Sequence, residues 1–444
     1  MRKDLNMLHG DIKQTLIQLA WPIILTNLIQ TALGIIDMIW IGRLGSNAVS
    51  AIGTSNIIIN FAVALSMLAV TGTGVRVAQT LGKGKEQESQ SYVKTGMLLS
   101  IIISSIYIIV VIFFKTQFIG FFNIEEPIIV QQAHDYLSHS LYGIPFLFLV
   151  STYISILTSY GNTKLTFRAN AIGLLINIIL DPIFIFGWGI IPKMGVAGAA
   201  WATNIARLII FVILYVNTKE QFKESLKMKF NSKQIVEVIH MGMPVTMQRF
   251  IFNFISMFMA KIVVSYGTDV MAAQRIGIQI ESITYVTIGG LQGAISAFIG
   301  QNFGNHNIER VEQSYRISLK LVTGFGIIVT IIFLLFAETF FAIFINERAV
   351  IEQGVIYMQA IAFSQVFMSI EILTVGAFHG IGKTTVPSVV STVFTVLRIP
   401  MALVLSKFMG ISGVWWSISL SSVLKGLILT IWFFIILKKK DYAF

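Results

Sequence analysis

Long apolar stretches alternate with short polar connections along almost the whole chain. Each stretch can supply the ~20 residues with which a helix crosses about 30 Å of hydrocarbon. The short alternating segments of a membrane barrel do not occur in the sequence. The pattern predicts an all-α polytopic membrane protein with twelve transmembrane helices, at roughly 16–41, 51–75, 96–114, 137–157, 169–188, 196–216, 235–266, 271–298, 321–340, 355–378, 386–405 and 414–437.

An internal duplication divides the chain into two similar halves. When the sequence is shifted by 222 residues, Pro22 aligns with Pro244, and the apolar stretches that follow stay in phase without a gap. Each half holds an even number of spans, so an axis along the membrane normal would relate the halves, with substrate handled between them. We expect two pseudo-symmetric six-helix bundles, an N-terminal lobe over 1–216 and a C-terminal lobe over 235–444, joined by a cytoplasmic linker over 217–234.

The charge distribution indicates membrane topology. Charged residues make up 12% of the chain, whereas a soluble domain has roughly a quarter. With the N-terminus placed inside, 21 of the 32 Lys and Arg residues lie on the cytoplasmic side and only five in the opposite connections. This bias predicts that both termini are cytoplasmic in a multi-pass protein of the cell membrane. The net charge of +11 is thereby explained without nucleic acid as a partner.

Several chemistries find no support in the residues. The chain has no cysteine, which excludes disulfides and thiolate metal sites. The segment Gly82–Lys85 is too short for a nucleotide-binding loop, and no nucleophile and base can be paired. We therefore expect neither an enzyme nor a protein with a cofactor.

Two acidic residues lie at membrane depth in the first half, where a charge costs at least ~2.5 kcal/mol. Asp37 is on helix 1, and Gln30 shares its face two turns earlier. Asp181 is on helix 5, with Asn177 one turn before it, and Thr203 is on helix 6. Their positions in the chain predict a shared polar site.

The depth of these side chains follows from the rise of a helix. Asp37, Asp181 and Thr203 are six, seven and eight residues from the predicted outer ends of their helices, or roughly 9–12 Å below the outer face. With Asn177 they would form a set of hard oxygen ligands for Na⁺, or for a proton shared between carboxylates. Alternatively, the two acids cap helix ends or pair with Arg207.

The second half does not repeat these acids. Met259 and, within a residue, Pro400 stand where the first half has Asp37 and Asp181. Instead the second half contains charged residues of both signs within its spans, namely Arg249, Lys261, Arg275, Glu281, Glu371, Arg398 and Lys425. Mutual neutralisation is the favoured interpretation, with Glu371 and Arg398 as the predicted polar pair.

Five stretches of the chain resemble the multidrug and toxic compound extrusion (MATE) family. They are Pro22–Gln30, Asp37–Gly45, Gly161–Lys164, Asn177–Phe184 and Gly195–Thr203. The resemblance extends over the whole chain and is closest to the DNA-damage-inducible-F-like branch. It implies a coupling site in the N-terminal lobe, where the two Asp, the Asn and the Thr of that branch correspond to Asp37, Asp181, Asn177 and Thr203, joined by Gln30.

The resemblance also bears on residues outside this set. Tyr142 is a weaker candidate for the same network. The other bacterial branch has an acidic residue on helix 7, where this sequence has Phe252, which argues against a coupling site of that kind in the C-terminal lobe. Glu371 on helix 10 keeps the question open.

The function implied by the resemblance is export of cationic or amphipathic organic molecules through a central cleft, against inward flow of H⁺ or Na⁺. We expect a monomer in the lipid bilayer that works by alternating access. The alternative is a lipid-linked glycan flippase of related fold, because the Arg and Lys residues of the second half could hold a pyrophosphate. A membrane enzyme would show turnover of a lipid, and a channel would show flux without saturable exchange.

Overall fold

The structure is a computed structural model that describes residues 6–229 and 231–439. Within these ranges all regular elements are helices, apart from an isolated bridge between Trp188 and Ile191. The all-α prediction is therefore confirmed. Residues 1–5 and 440–444, and with them both chain ends that the charge pattern assigns to the cytoplasm, lie outside the described residues.

The first half contains seven long helices and a short one. They are α1 Ile12–Gly42, α2 Ser46–Gly82, α3 Glu86–Gly120, α4 Pro127–Ser140, α5 Ile144–Ser159, α6 Thr163–Phe186, α7 Val196–Thr218 and α8 Lys223–Lys227. A single 3-10 turn joins α4 to α5, so the two helices form one span. The short α8 lies in the predicted linker.

The second half repeats this order. Its helices are α9 Ser232–Val264, α10 Thr268–Gly304, α11 Ile308–Phe344, α12 Arg348–Ala362, α13 Gln365–Gly380, α14 Thr385–Val396, α15 Arg398–Met409 and α16 Ile411–Lys439. In the described ranges, eleven stretches are long and apolar enough to cross a membrane, and α12 with α13, bent by 52°, supplies a twelfth. The predicted number of spans is thus reached.

The duplication is visible in the backbone as well as in the sequence. Gly45 precedes α2 with φ 108°, and Gly267, 222 residues later, precedes α10 with φ 118°. Gly195 before α7 and Gly410 before α16 form a second such pair, with φ 55° and 58°. Residues with a Cβ rarely adopt these angles, so the same glycine requirement has been kept at equivalent turns of both halves.

The chain forms two compact units, and the first unit is Leu25–Thr246. This unit includes the first turns of α9, which pack against α2 and α3. The Gly72 backbone lies so close to Val238 that a Cβ there would collide with the Val238 carbonyl. Glu237 forms an ion pair with Arg76 at 3.2 Å and accepts a hydrogen bond from Tyr92.

The second unit combines Asn6–Ile24 with the chain from Met247 onward. Its N-terminal segment is fixed by polar contacts, because Asn302 Nδ2 and Arg310 Nε donate to the Met7 carbonyl at 3.1 and 3.2 Å. Relative to the lobes predicted from the sequence, the units exchange the first turns of α1 and α9. The lobe boundaries at 216 and 235 stay a prediction.

Candidate functional site

The two predicted acids meet inside the first unit. Asp181 on α6 is fully buried, and the Asp37 carboxyl on α1 lies within hydrogen-bonding reach of both Asp181 and Asn177. Asn177 Nδ2 donates to Asp181 Oδ1 at 3.3 Å, and Thr203 Oγ1 on α7 donates to Asp37 Oδ2 at 3.4 Å. The structure therefore brings together the three side chains that the depth argument selected and Asn177, which was added to them.

Gln30 extends this network along the same pair of helices. Its Nε2 donates to Asn170 Oδ1 at 3.3 Å. Asn170 precedes Asn177 by two turns, as Gln30 precedes Asp37, so α1 and α6 are joined by two polar contacts at matching spacing. Gln30 is itself exposed, which places the network at the edge of an accessible surface.

The two alternative roles of the acids, capping of helix ends and pairing with Arg207, do not describe this arrangement. Asp37 and Asp181 each lie five residues inside the end of their helix, so neither caps a terminus. Among the described residues, no ion pair joins Arg207 to either acid, although Arg207 is near enough to act electrostatically on Asp37. The two groups in contact at the site are therefore both carboxyls.

Tyr136 on α4 is a site neighbour that the sequence did not reveal. The ring is buried, and its hydroxyl is near enough to Asp37, Arg207 and Asp181 to interact with their charges. Nothing in the sequence distinguishes this tyrosine from the other aromatic residues of the spans. Tyr142, the weaker candidate, stacks on Trp201 with ring centroids 5.5 Å apart.

The connection between α6 and α7 sets the register of Thr203 relative to Asp181. The amides of Met194 and Gly195 donate to the carbonyls of Phe184 and Ile185 at 3.0 and 3.1 Å. These bonds satisfy carbonyls that the end of α6 would leave unpaired. At Gly198 the backbone of α7 comes so close to the Phe184 carbonyl that a Cβ would collide with it. A glycine is required there, and it locks the two helices together.

An apolar cluster closes the end of the site next to the connection between α6 and α7. Ile41, Ile185 and Ala199 belong to one buried group that also includes the ring of Tyr136. Trp40 packs edge-on against Phe186 with centroids 6.2 Å apart. This cluster lowers the local dielectric constant, and lower dielectric strengthens every electrostatic interaction of the two acids.

Three oxygens of the site are buried without a hydrogen-bond partner, namely Asp37 Oδ1, Asn177 Oδ1 and Asp181 Oδ2. Two negative charges in contact repel each other unless a proton or a cation is shared between them. Carboxylate and amide oxygens suit Na⁺ or a proton, and no group of three His, Asp or Glu side chains that could hold a metal occurs in the described ranges. The donor set therefore fits a monovalent hard cation.

Replacing Thr203 tests the smallest member of the set. Thr203→Ala removes one long hydrogen bond to Asp37, worth about 0.5–1.5 kcal/mol. We expect the affinity of the site for a monovalent cation to fall by about 2- to 12-fold. Cation titrations of the purified protein provide the measurement, and Thr203→Ser, which keeps the hydroxyl, is the matched control. Complete loss of cation binding in Thr203→Ala would contradict the modest role assigned to this residue.

The predicted pairing of Glu371 with Arg398 in the second unit is wrong. Glu371 on α13 forms an ion pair with Lys425 on α16 at 2.9 Å. Arg398 begins α15, after the interruption between α14 and α15, and its Nε donates instead to Ser421 Oγ at 2.6 Å. Arg398 is therefore held by α16, and its predicted pairing with Glu371 does not form.

Comparison with known protein families gives two matches in tandem. The MatE family matches residues 22–183 and 244–404. Both matches begin at the prolines that the internal duplication aligns, and together they cover most of the chain.

Individual relatives are similar over almost their full length. The probable multidrug resistance protein NorM of Thermotoga maritima is 27% identical over 413 residues, covering 91% of this chain and 88% of that protein. The probable multidrug resistance protein YoeA of Bacillus subtilis is 23% identical, with 89% and 87% covered.

Solved structures share the fold at lower identity. A MOP superfamily transporter from Pyrococcus furiosus superposes with a TM-score of 0.91 at 20% identity, over 99% of this chain and 98% of that chain. A variant of the Vibrio cholerae MATE transporter VcmN gives a TM-score of 0.89 at 21% identity, over 97% and 98%.

Proposed function

The chain belongs to the MatE family, and on this premise we propose that it is a cation-coupled antiporter that exports cationic or amphipathic organic compounds by alternating access. Members of the family are transporters and not enzymes, and this chain is accordingly a multi-pass membrane transporter for small molecules. The relatives whose names specify multidrug resistance support multidrug efflux as its activity.

The contact between Asp37 and Asp181 is the observation on which the proposal rests. When both carboxyls are ionised, the nearby Arg207 offsets one of the two negative charges, so the site has one negative charge in excess. A proton or Na⁺ that binds there removes this excess from a low-dielectric environment. Because the carboxylates come from two helices, the bound cation favours the arrangement in which α1 and α6 are in contact. This differential affinity is what allows an ion to shift a conformational equilibrium.

In the proposed cycle the ion and the organic substrate exclude each other. The cation enters from outside, neutralises Asp37 and Asp181, and favours release of the substrate to the outside. The unit then opens to the cytoplasm, where the cation leaves and the excess negative charge favours the next organic cation. The same oxygens serve Na⁺ and H⁺, so the proposal names a monovalent cation and leaves its identity to experiment.

The setting of this cycle also follows from the sequence. The excess of Lys and Arg on one side of the membrane supports cytoplasmic termini and a place in the cell membrane. Both carboxylates belong to one unit of one chain, so the coupling site is complete in a monomer. Nucleic acid has no place in the proposal.

The glycan flippase is less well supported. It would require buried cations of the second half to be available for a pyrophosphate. Lys425 is paired with Glu371, and Arg398 is hydrogen-bonded to serines. These two cations are therefore engaged within the unit.

Purified protein in liposomes would test the proposed exchange directly. A fluorescent organic cation is loaded on the side that corresponds to the cytoplasm, and a pH gradient and a Na⁺ gradient are imposed separately. We expect saturable export to be accelerated by one of the two gradients and abolished when an ionophore dissipates it. Export that ignores both gradients would reject ion coupling, and non-saturable flux would indicate a channel.

A further inference from the structure

Four charged side chains are buried among the described residues of the second unit. Glu281, Glu371, Arg398 and Lys425 are 7%, 7%, 9% and 6% exposed. The other cations that the sequence places in these spans, Arg249, Lys261 and Arg275, are exposed. The buried set contains two charges of each sign, so the interior of this unit is neutral.

The ion pair between Lys425 and Glu371 is the direct contact in this set. Lys425 Nζ lies 2.9 Å from Glu371 Oε1, which also accepts a hydrogen bond from Ser391 Oγ at 3.1 Å. The three residues belong to α16, α13 and α14, so one carboxylate oxygen connects three helices. Ser388 lies on the same face of α14 one turn before Ser391, and its buried hydroxyl has no hydrogen-bond partner.

The remaining two charges are held by neutral groups. Glu281 accepts hydrogen bonds from Gln365 Nε2 at 3.1 Å and from the Tyr357 hydroxyl at 3.4 Å. Arg398 donates to Ser421 and Ser422. Arg398 is also near enough to Glu281 and Lys425 to interact with both charges, which keeps the four charges in one electrostatic network.

The two units of the duplicated chain therefore differ in their charge balance. The Asp37 site of the first unit has an excess of one negative charge, whereas the Glu371 site of the second unit already contains a cation. Ion pairs removed from water are often no more stabilising than apolar residues of similar size. A helix-packing role alone does not explain why a lysine is present.

We propose that the Lys425 ammonium is a built-in cation, occupying a monovalent cation site formed by Glu371, Ser391 and Ser388. The covalently attached charge makes the second unit independent of ions in solution, and coupling is confined to the first unit. This inference goes beyond the proposed function, because it concerns the second unit and holds whichever compound is exported. It follows that removing the lysine converts the pocket into a site for a soluble cation.

The test is Na⁺-dependent thermal unfolding of purified Lys425→Ala, with choline chloride keeping the ionic strength constant. The alanine leaves room for an ion beside the Glu371 carboxylate. We expect a saturable rise in melting temperature with Na⁺ that exceeds the response of the wild type at its first-unit site, because a ligand that binds only the folded state stabilises it. The control is Glu371→Gln/Lys425→Ala, in which the carboxylate is gone and the additional Na⁺ response should disappear.

Each outcome decides for or against the built-in cation. A Lys425→Ala protein that folds only in high Na⁺ and unfolds when Na⁺ is withdrawn supports it. A variant destabilised equally at every Na⁺ concentration overturns it, as does an equal Na⁺ response in the double variant. If Lys425→Ala fails to fold at any Na⁺ concentration while the double variant folds, the pair is a helix contact only, and the inference is rejected.

Discussion

Asp37→Asn and Asp181→Asn should each sharply reduce ion-driven export while leaving the protein folded. Either change removes one of two carboxyls in contact, and with it the negative charge that attracts the proposed coupling cation. Coupling free energies of about 1–3 kcal/mol correspond to changes of about 5- to 150-fold, so we expect the exchange rate to fall within or beyond that range. Asparagine has nearly the same shape as aspartate, so packing around Ile41 and Ile185 should be preserved.

The measurement is export from liposomes under the gradient that drives the wild type, with the amount of inserted protein determined for each variant. Asp135→Asn is the matched control, since Asp135 is an exposed acid on α4. The melting temperature should stay the same or rise, because a costly buried charge has been removed. Full export by either site variant, at normal expression, would show that the two carboxylates do not couple transport to an ion.

Gly198→Leu should prevent the first unit from folding correctly. A side chain at this position collides with the Phe184 carbonyl and with the Ile185 amide. Inserting carbons into a packed interior usually costs about 1–3 kcal/mol, but here the obstacle is backbone already bound to the Met194 amide. We therefore expect the free energy of unfolding to fall by more than about 3 kcal/mol. The register that holds Thr203 against Asp37 would be lost as well.

Melting temperature and elution as a single species in detergent would measure this effect. The control is Gly53→Leu on α2, because Gly53 is exposed and a Cβ there has no neighbour within 4 Å. The control should melt at or above the wild-type temperature, since leucine favours helix more than glycine does. If Gly198→Leu behaved like the control, the close packing of α6 on α7 would not be a constraint in solution.

The candidate site was predictable because helices have a fixed rise. Counting residues from the ends of three helices placed Asp37, Asp181 and Thr203 in one layer, and the structure brings them into contact. Gln30, two turns before Asp37, was predicted to join the same network, and it contacts Asn170, two turns before Asn177. What such a count cannot supply is direction around the helix axis, which only packing decides.

The direction in which each side chain leaves its helix explains why Glu371 was predicted to pair with the wrong residue. Glu371 and Arg398 lie on successive spans, yet Glu371 faces Lys425 while Arg398 faces the serines of α16. Tyr136 could not be identified from the sequence for the same reason, because its place in the site depends on which residues lie beside its hydroxyl. The exchange of helix segments between the units could not be inferred either, because α1 and α9 are each continuous through a proline.

The contact between Met7 and Arg310 joins residues 303 positions apart in the chain, which constrains how the protein can be assembled during synthesis. The first turns of α1 emerge from the ribosome early and must wait in the bilayer until α11 has been inserted. The first unit, in turn, is complete only after Thr246 has been translated. Halves produced as separate polypeptides would therefore have to associate within the lipid before either could reach its native packing.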